Sequence, residues 1–436
     1  KVKQRLVVEE GSLVIECTWN DGPTIRFTCF VPPKPNVLVI NWEILDWNPE
    51  TNMEGLGGPI FFGLHRWQDP AIDKFCTQER LTNGYFYYRD SVRTGKATPL
   101  DAPEMKNHAG VDFIEQSFAP DLEFPEGFRY GMVPFMTDDF RPEVVPTYGV
   151  GDKLMQFFQP EAQQQRRGVI AVAVPATSDE GGLEAELDRI IAEIDGDLAS
   201  AALRWEAASI ASAQQYWSRS SIKCDDKVME DSWYGVLHTI RVAFRGDKRA
   251  PGLALPSALG DYGLWHNDYH MNYNYQQPFW GRFTANQIDA GDSFYPGMQF
   301  MVDTGKILAE KFFDARGTYI HLVGYPFTLE DDPYPTGSIC RMTYMSGWVA
   351  GEYWRRYRYT LDDQWLTDVG YPVIRDCALF YLDTLEKWSD GKWHAFPSTQ
   401  GESFFTGDPK DYLDKPQVIG HTRYCLKAAV EASEIL

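Results

Sequence analysis

The densest polar and aromatic stretch of the 436-residue chain runs Trp265-His266-Asn267-Asp268-Tyr269-His270-Met271-Asn272-Tyr273-Asn274-Tyr275-Gln276-Gln277-Pro278-Phe279-Trp280-Gly281. Polar and aromatic residues alternate there, with almost no aliphatic residue among them. Asn272 and Asn274 stand two apart, so in extended backbone their amides point to one side. Two carboxamides side by side can hold one water, because each both donates and accepts. The same pattern also describes a buried polar loop whose Asn side chains satisfy backbone groups. His266, Asp268 and His270 repeat at i, i+2 and i+4, a spacing that could ligate a metal along a strand. A metal would need further ligands from elsewhere, so the expectation is hydrogen bonding at a pocket wall, with no metal and no cofactor. A second segment, Phe396-Pro397-Ser398-Thr399-Gln400-Gly401-Glu402-Ser403, places a carboxylate on a Pro/Ser/Gly loop. Glu402 there is a solvated surface residue unless the loop reaches a pocket mouth.

Composition narrows what such segments could serve. Lys and Arg number 41 against 62 Asp and Glu, a net charge of −21. Nucleic acid and anionic membrane surfaces both need a basic face, so neither is an expected partner. No uncharged apolar run approaches the ~18 residues of a membrane span. Aromatic residues reach 14%, with 14 Trp, 23 Tyr and 26 Phe. Their flat faces suit the axial C–H groups of sugar rings, and they suit core packing equally well. The seven cysteines contain no C-x-x-C pair, which argues against zinc ribbons and thioredoxin-like redox sites. Cys17 and Cys29 could face one another across a hairpin. The other motifs are bland: Gly55-Leu56-Gly57-Gly58-Pro59 lacks the Lys of a phosphate cradle, and there is no G-x-S-x-G or H-E-x-x-H.

The elements that must position these residues fall in a clear order. Residues 13–19 and 24–30 are strand-like runs around Asp21-Gly22, a hairpin signal, and 37–44 is a further strand. Gly, Pro and Asn breaks follow to about 165, and Gly168–Val174 reads as a buried strand. Leu183, Leu187, Ile190, Ile191 and Ile194 form one helical stripe, and an Ala-rich helix follows over 199–218. Beyond 226 helices alternate with long aromatic loops: 229–244, 290–313, 345–359, 364–385 and 418–436. The predicted architecture is an N-terminal β-sandwich over 1–177, a helical linker over 178–225 and a C-terminal α/α toroid over 226–436. The sequence opens on Lys1 and closes inside an amphipathic run, so the toroid is expected to be incomplete and the chain part of a longer one.

With both polar segments in view, the chain resembles the six-hairpin glycosidases, and within them glycoside hydrolase family 95, which includes α-L-fucosidases and α-L-galactosidases. Residues 250–256, then Tyr269-His270-Met271-Asn272-Tyr273-Asn274-Tyr275-Gln276 and Phe279-Trp280, are similar to the family's loop bearing two water-binding asparagines. Tyr353–Thr360, Tyr371-Pro372-Val373 and Ala378–Tyr381 resemble the helical hairpin before the general acid, and Phe396–Glu402 the segment that carries it. The resemblance covers about 230–436; in the β region it is architectural only. It implies inverting hydrolysis, with Glu402 as general acid and Asn272 and Asn274 holding the water. The family's catalytic aspartate lies downstream of residue 436.

The candidate substrate-binding set is Trp265, His266, Asp268, Tyr269, His270, Tyr273, Gln276, Trp280 and Trp348, the aromatic members as sugar platforms. The partner would be an oligo- or polysaccharide, and the location extracellular or periplasmic, as polymer substrates require. Gln277–Arg282 departs from the familiar fucosidase loop, which leaves the sugar open. Two other readings remain: a related hydrolase or a polysaccharide lyase using His266, His270 and Arg282 on a uronate, and a carbohydrate-binding protein without turnover.

Overall fold

The computed structural model describes residues 1–18, 23–46, 60–64, 103–137, 142–146, 154–158, 167–246, 248–253, 267–331, 342–399 and 409–436. The chain divides into two compact units, Lys1–Ser221 and Ile222–Leu436.

The first unit is built on an antiparallel sheet of eight strands in the order β1-β2-β3-β4-β11-β8-β7-β6. These are β1 (Val2–Val7), β2 (Ser12–Thr18), β3 (Thr24–Phe30), β4 (Val37–Ile44), β6 (Glu104–His108), β7 (Val111–Phe118), β8 (Phe128–Met136) and β11 (Arg167–Ala173). A second sheet, β5-β10-β9, joins β5 (Ile60–Leu64), β10 (Leu154–Phe158) and β9 (Pro142–Pro146). In β4 the period of two is plain: Val37 and Val39 are buried while Leu38 between them is exposed. β2 and β3 pair with Thr18 opposite Thr24, as the Asp-Gly signal requires. That register puts Cys17 opposite Ile25 and Cys29 opposite Leu13, so the two thiols do not face each other, and both are free.

Two helices, α1 (Gly182–Ile194) and α2 (Leu198–Trp217), cover this sheet. The stripe Leu183, Leu187 and Ile190 is fully buried and packs with Leu198, Ala201, Ala202 and Trp205 onto Val37, Val39, Phe113, Val133, Ala171 and Ala173. Asp197 caps α2 by accepting from the Ser200 N–H at 3.0 Å. The helical pair expected to act as a linker is therefore packed into the first unit.

The second unit is helical. It contains α3 (Lys227–Ala243), α4 (Phe294–Phe313), α5 (Tyr344–Thr360), α6 (Tyr371–Thr384) and α7 (Pro416–Ile435). Asp226 caps α3 through the Val228 and Met229 N–H groups. The run expected as one helix over 290–313 is a 3₁₀ turn, Asp289–Gly291, followed by α4, with Pro296 in the first turn where no intrahelical N–H is lost. The run over 364–385 begins with a short helical turn, Asp363–Trp365, and passes through a π turn, Leu366–Gly370, before α6. Pro372 lacks the N–H for the Asp368 carbonyl, and the wider turn accommodates its ring.

α5, α6 and α7 pack tightly. A Cβ at Gly347 would lie 2.4 Å from the His421 carbonyl oxygen, so α5 and α7 approach this closely only with glycine there. The Tyr381 hydroxyl on α6 donates to the Thr343 carbonyl at 2.6 Å and accepts the Gly347 N–H at 2.8 Å, tying α6 to the start of α5. A short hairpin, β14 (Leu385–Lys387) and β15 (Trp393–Ala395), follows α6 around Asp390-Gly391.

Candidate active site

The polar segment is carried by a two-residue ladder. β12 (Tyr269–His270) pairs antiparallel with β13 (Val323–Gly324), and the Met271 N–H extends the pairing to the Leu322 carbonyl at 2.8 Å. Past Met271 the backbone turns. The Tyr275 N–H donates to the His270 carbonyl at 2.9 Å and the Gln277 N–H to the Tyr273 carbonyl at 3.0 Å. The buried Gln276 amide closes the turn by donating to the Met271 carbonyl. The extended backbone that would align Asn272 and Asn274 on one side is therefore absent. Asn272 is half-buried; Asn274 is exposed and lines a cleft.

That cleft encloses about 220 Å³. Its apolar lining comes from Phe244, Pro251, Leu253, Tyr275 and Pro278, and its polar lining from Asp268, His270, Tyr273, Asn274 and Gln277. The loop before it lies close: the Leu253 N–H donates to the Asp268 carbonyl at 2.8 Å, and a Cβ at Gly252 would overlap the Asn267 carbonyl. Asp268 is 2% and His270 8% exposed, with His270 Nδ1 3.1 Å from Asp268 Oδ1. A carboxylate only accepts, so Nδ1 carries the proton in this hydrogen bond. Burial, with the Asp268 charge second, raises the nearby Tyr325 hydroxyl and keeps it protonated.

The aromatic candidates separate. Tyr269 is 2% exposed, donates to the Ala250 carbonyl at 2.8 Å and packs on Tyr275, and burial pushes its hydroxyl up to about 12. It is a core residue packed behind Tyr275, which lines the cleft. Tyr273 is 49% exposed and meets Trp280 edge-on at 5.6 Å. Trp280 stacks on Trp348 at 6.1 Å and 28°, and Trp348 stacks on His421 at 5.3 Å and 21°. Sequence reasoning missed two members of this ladder. Glu352, 1% exposed, accepts the Trp280 indole N–H at 3.0 Å. It stands four residues after Trp348 on α5, on the same helical face, a signal that was there to be used. His421 comes from α7, and no local signal places it.

Arg282 is fully buried. It donates to the Tyr295 hydroxyl at 2.7 Å and lies against the rings of Phe283, Tyr295 and Phe279. Asp292 stands 3.9 Å from it and is held bidentately by Arg356 at 3.1 Å. A Cβ at Gly291 would collide with the Arg282 chain. This guanidinium is closed off from any uronate, which removes it from the lyase reading.

Glu402, Trp265 and His266 lie outside the described residues. The neck of the Glu402 segment is described. Ser398 donates to the Tyr412 carbonyl through its N–H at 2.7 Å and its hydroxyl at 3.0 Å, while the Lys415 N–H donates back to the Ser398 hydroxyl at 3.0 Å. His394 sits between Asp414 (2.5 Å) and Asp390 (3.1 Å), and the hydrogen bond to Asp414, then that to Asp390, raises its pKa. Among the described residues no group of three His, Cys, Asp or Glu side chains is placed to hold a metal ion. No described helix is long and apolar enough to cross a membrane.

The arrangement of an N-terminal antiparallel sheet of eight strands followed by a helical unit recurs among solved structures. One, titled a putative kojibiose phosphorylase from human microbiome, superposes with a TM-score of 0.58 at 10% identity, covering 100% of this chain and 57% of that one. Residues 262–425 match the model of the glycosyl hydrolase family 95 catalytic domain. Alpha-L-fucosidase 2 of Arabidopsis thaliana is 27% identical over 191 residues, which is 40% of this chain and 22% of that protein. A probable alpha-fucosidase A of Aspergillus niger is 25% identical over 164 residues, 34% of this chain and 19% of that protein. The match thus spans about a fifth of the curated relatives' length.

Proposed function

We propose that the protein is a glycoside hydrolase that removes a sugar, an α-L-fucoside or α-L-galactoside, from an oligo- or polysaccharide with inversion. The observation that carries this is the coincidence of two facts. The family 95 match begins at residue 262, and the described cleft is lined by Asp268, His270, Tyr273 and Asn274 from the start of that match. A cleft with a few convergent polar groups and aromatic walls suits a neutral sugar, whose hydroxyls need hydrogen bonds and whose C–H faces need rings.

In this reading Glu402 protonates the departing glycosidic oxygen. By the resemblance, Asn272 and Asn274 serve the attacking water on the opposite face, with the turn past Met271 and not an extended strand setting their directions, and the base is a carboxylate supplied from beyond residue 436. Inversion leaves about 6.5–9.5 Å between acid and base for that water. The Asp268–His270 pair presents a ring of fixed orientation to a sugar hydroxyl. Tyr273 and Trp280 are the stacking surfaces, with Trp348 backing Trp280 and with Trp265 and His266 completing the binding set. The negative charge of the chain repels a uronate polymer, and with Arg282 sealed, a neutral glycan is favoured over a lyase substrate. A polymer substrate places the protein outside the cell or in a periplasm.

The test uses full-length protein with 4-nitrophenyl α-L-fucoside and fucosylated or L-galactosylated oligosaccharides. Glu402→Gln is expected to lose at least ~10²-fold in kcat, the scale of a missing general acid. Near-normal turnover of the oligosaccharides in that variant, whose sugar leaving groups need a proton, would remove Glu402 from its role.

A further inference from the structure

The Glu352 carboxylate is buried at 1% exposure in the middle of α5. An anion in that position is expensive unless its oxygens are satisfied, and an apolar residue of the same volume would cost nothing of the kind. Its partners are the Trp280 indole N–H, 3.0 Å from Oε1, and the Arg355 guanidinium, 2.8 and 2.9 Å from the two oxygens. Arg355 does not need it: its side chain is 38% exposed and reaches water. Trp280 does. Its indole is fixed at one edge by Glu352, while its ring stacks on Trp348 and meets the edge of Tyr273, a cleft-lining residue. Without an acceptor at that edge the indole can swing about its side-chain bonds, and its angle to Tyr273 is lost.

We propose that Glu352 is a positioning residue for sugar binding, acting through Trp280: its buried carboxylate holds the indole at the tilt that a neutral sugar ring entering beside Tyr273 requires. This rests on the glycoside hydrolase reading above and adds to it a residue that touches no substrate. Glu352 belongs to the site through a hydrogen bond, so its removal changes ligand affinity by changing the orientation of a ring.

The test follows the Trp280 indole N–H resonance in full-length protein with ¹⁵N-labelled tryptophan, assigned by its loss in Trp280→Phe. L-fucose and L-galactose are titrated into the wild type, Glu352→Met, Glu352→Gln and Arg355→Ala. Met keeps the volume without an acceptor, whereas the Gln carbonyl still accepts the indole N–H. In Glu352→Met the free-protein resonance is expected to move upfield and the sugar affinity to fall ~10-fold, or about 1.4 kcal/mol. Glu352→Gln and Arg355→Ala should stay within ~3-fold of wild type, under about 0.7 kcal/mol. Equal affinity in Glu352→Met and wild type overturns the proposal, as does a Gln variant as weak as the Met variant. Should Glu352→Met fail to fold, the Gln variant decides: an indole signal and affinity like wild type support the assignment, and a signal at the free-indole position contradicts it. If neither sugar perturbs Trp280 in the wild type, the sugar reading falls and this proposal with it. If both sugars perturb it equally in wild type and Glu352→Met, only the role of Glu352 falls.

Discussion

The two units bury different things. In the first, the core between sheet and helices is aliphatic: Val37, Val39, Val133, Ala171 and Ala173 meet Leu183, Leu187, Ile190 and Leu198, with Phe113 and Trp205 at its larger positions. In the second, the core is aromatic and polar. Arg282, Glu352, His321, Gln276, Ser346 and Asp268 are all at 2% exposure or less, among Tyr275, Phe279, Phe294, Tyr319 and Tyr353. An aliphatic core tolerates repacking, because any apolar shape of the right volume suffices. A polar core does not, since each group needs its own partner at its own angle. The cost of polar burial is concentrated in the unit that carries the candidate site. His321 shows how far it goes: burial pushes its imidazole down to about 3, so it is a neutral ring inside the core.

The largest effect that would break this contrast is at Arg282. Arg282→Ala removes the donor to the Tyr295 hydroxyl and the ring contacts around it, and is expected to cost about 3–5 kcal/mol. Urea denaturation followed by tryptophan fluorescence should show the loss in the second unit's transition. A loss under about 1 kcal/mol would mean the polar core is dispensable. Leu187→Ala in the first unit should cost about 3 kcal/mol through transfer and cavity terms alone. Its companion Leu187→Met should be nearly neutral, and a large loss there would put the aliphatic core in the same class as the polar one.

Much of the first unit could be read from the sequence because its signals are local. Alternation in 37–44, the Asp-Gly turn and the stripe of α1 each fix an element without help from elsewhere. β1 escaped because it is an edge strand, exposed along nearly its whole length and written Val-Lys-Gln-Arg-Leu-Val, the charged pattern that protects edges. The hairpin at 385–395 was missed although Asp390-Gly391 sits between its strands. In the second unit the site segment stood out by composition, but its geometry did not. Whether Asn272 and Asn274 align depends on Met271 pairing with Leu322 and on the Gln276 amide closing the turn, and only the first of these reaches across the chain. The Trp280–Trp348–His421 stack depends on the register of α5 against α7, which Gly347 permits and no periodicity reveals.

The smallest expected effect is electrostatic. The Arg316 guanidinium, with the Arg316 backbone N–H, hydrogen-bonds Asp383 at 2.7–2.8 Å and holds its carboxyl at about 2, below its ordinary 3.8. A depressed carboxylate adds stability above its unfolded pKa and loses it as pH falls through the folded one. Asp383→Asn should therefore leave stability at pH 2 unchanged and lower it by about 1 kcal/mol or less above pH 4, since Arg316 is well exposed. Thermal melts at pH 2 and pH 6 check it, and an equal change at both would assign the effect to packing.

The most direct test of the functional account is the anomeric configuration of the released sugar, read by ¹H NMR in the first minutes after full-length protein meets an α-L-fucosyl or α-L-galactosyl oligosaccharide. The account predicts that the β-anomer appears first and mutarotates to equilibrium. An α-anomer appearing first would contradict inversion, and no release from any such glycan would contradict the hydrolase reading itself.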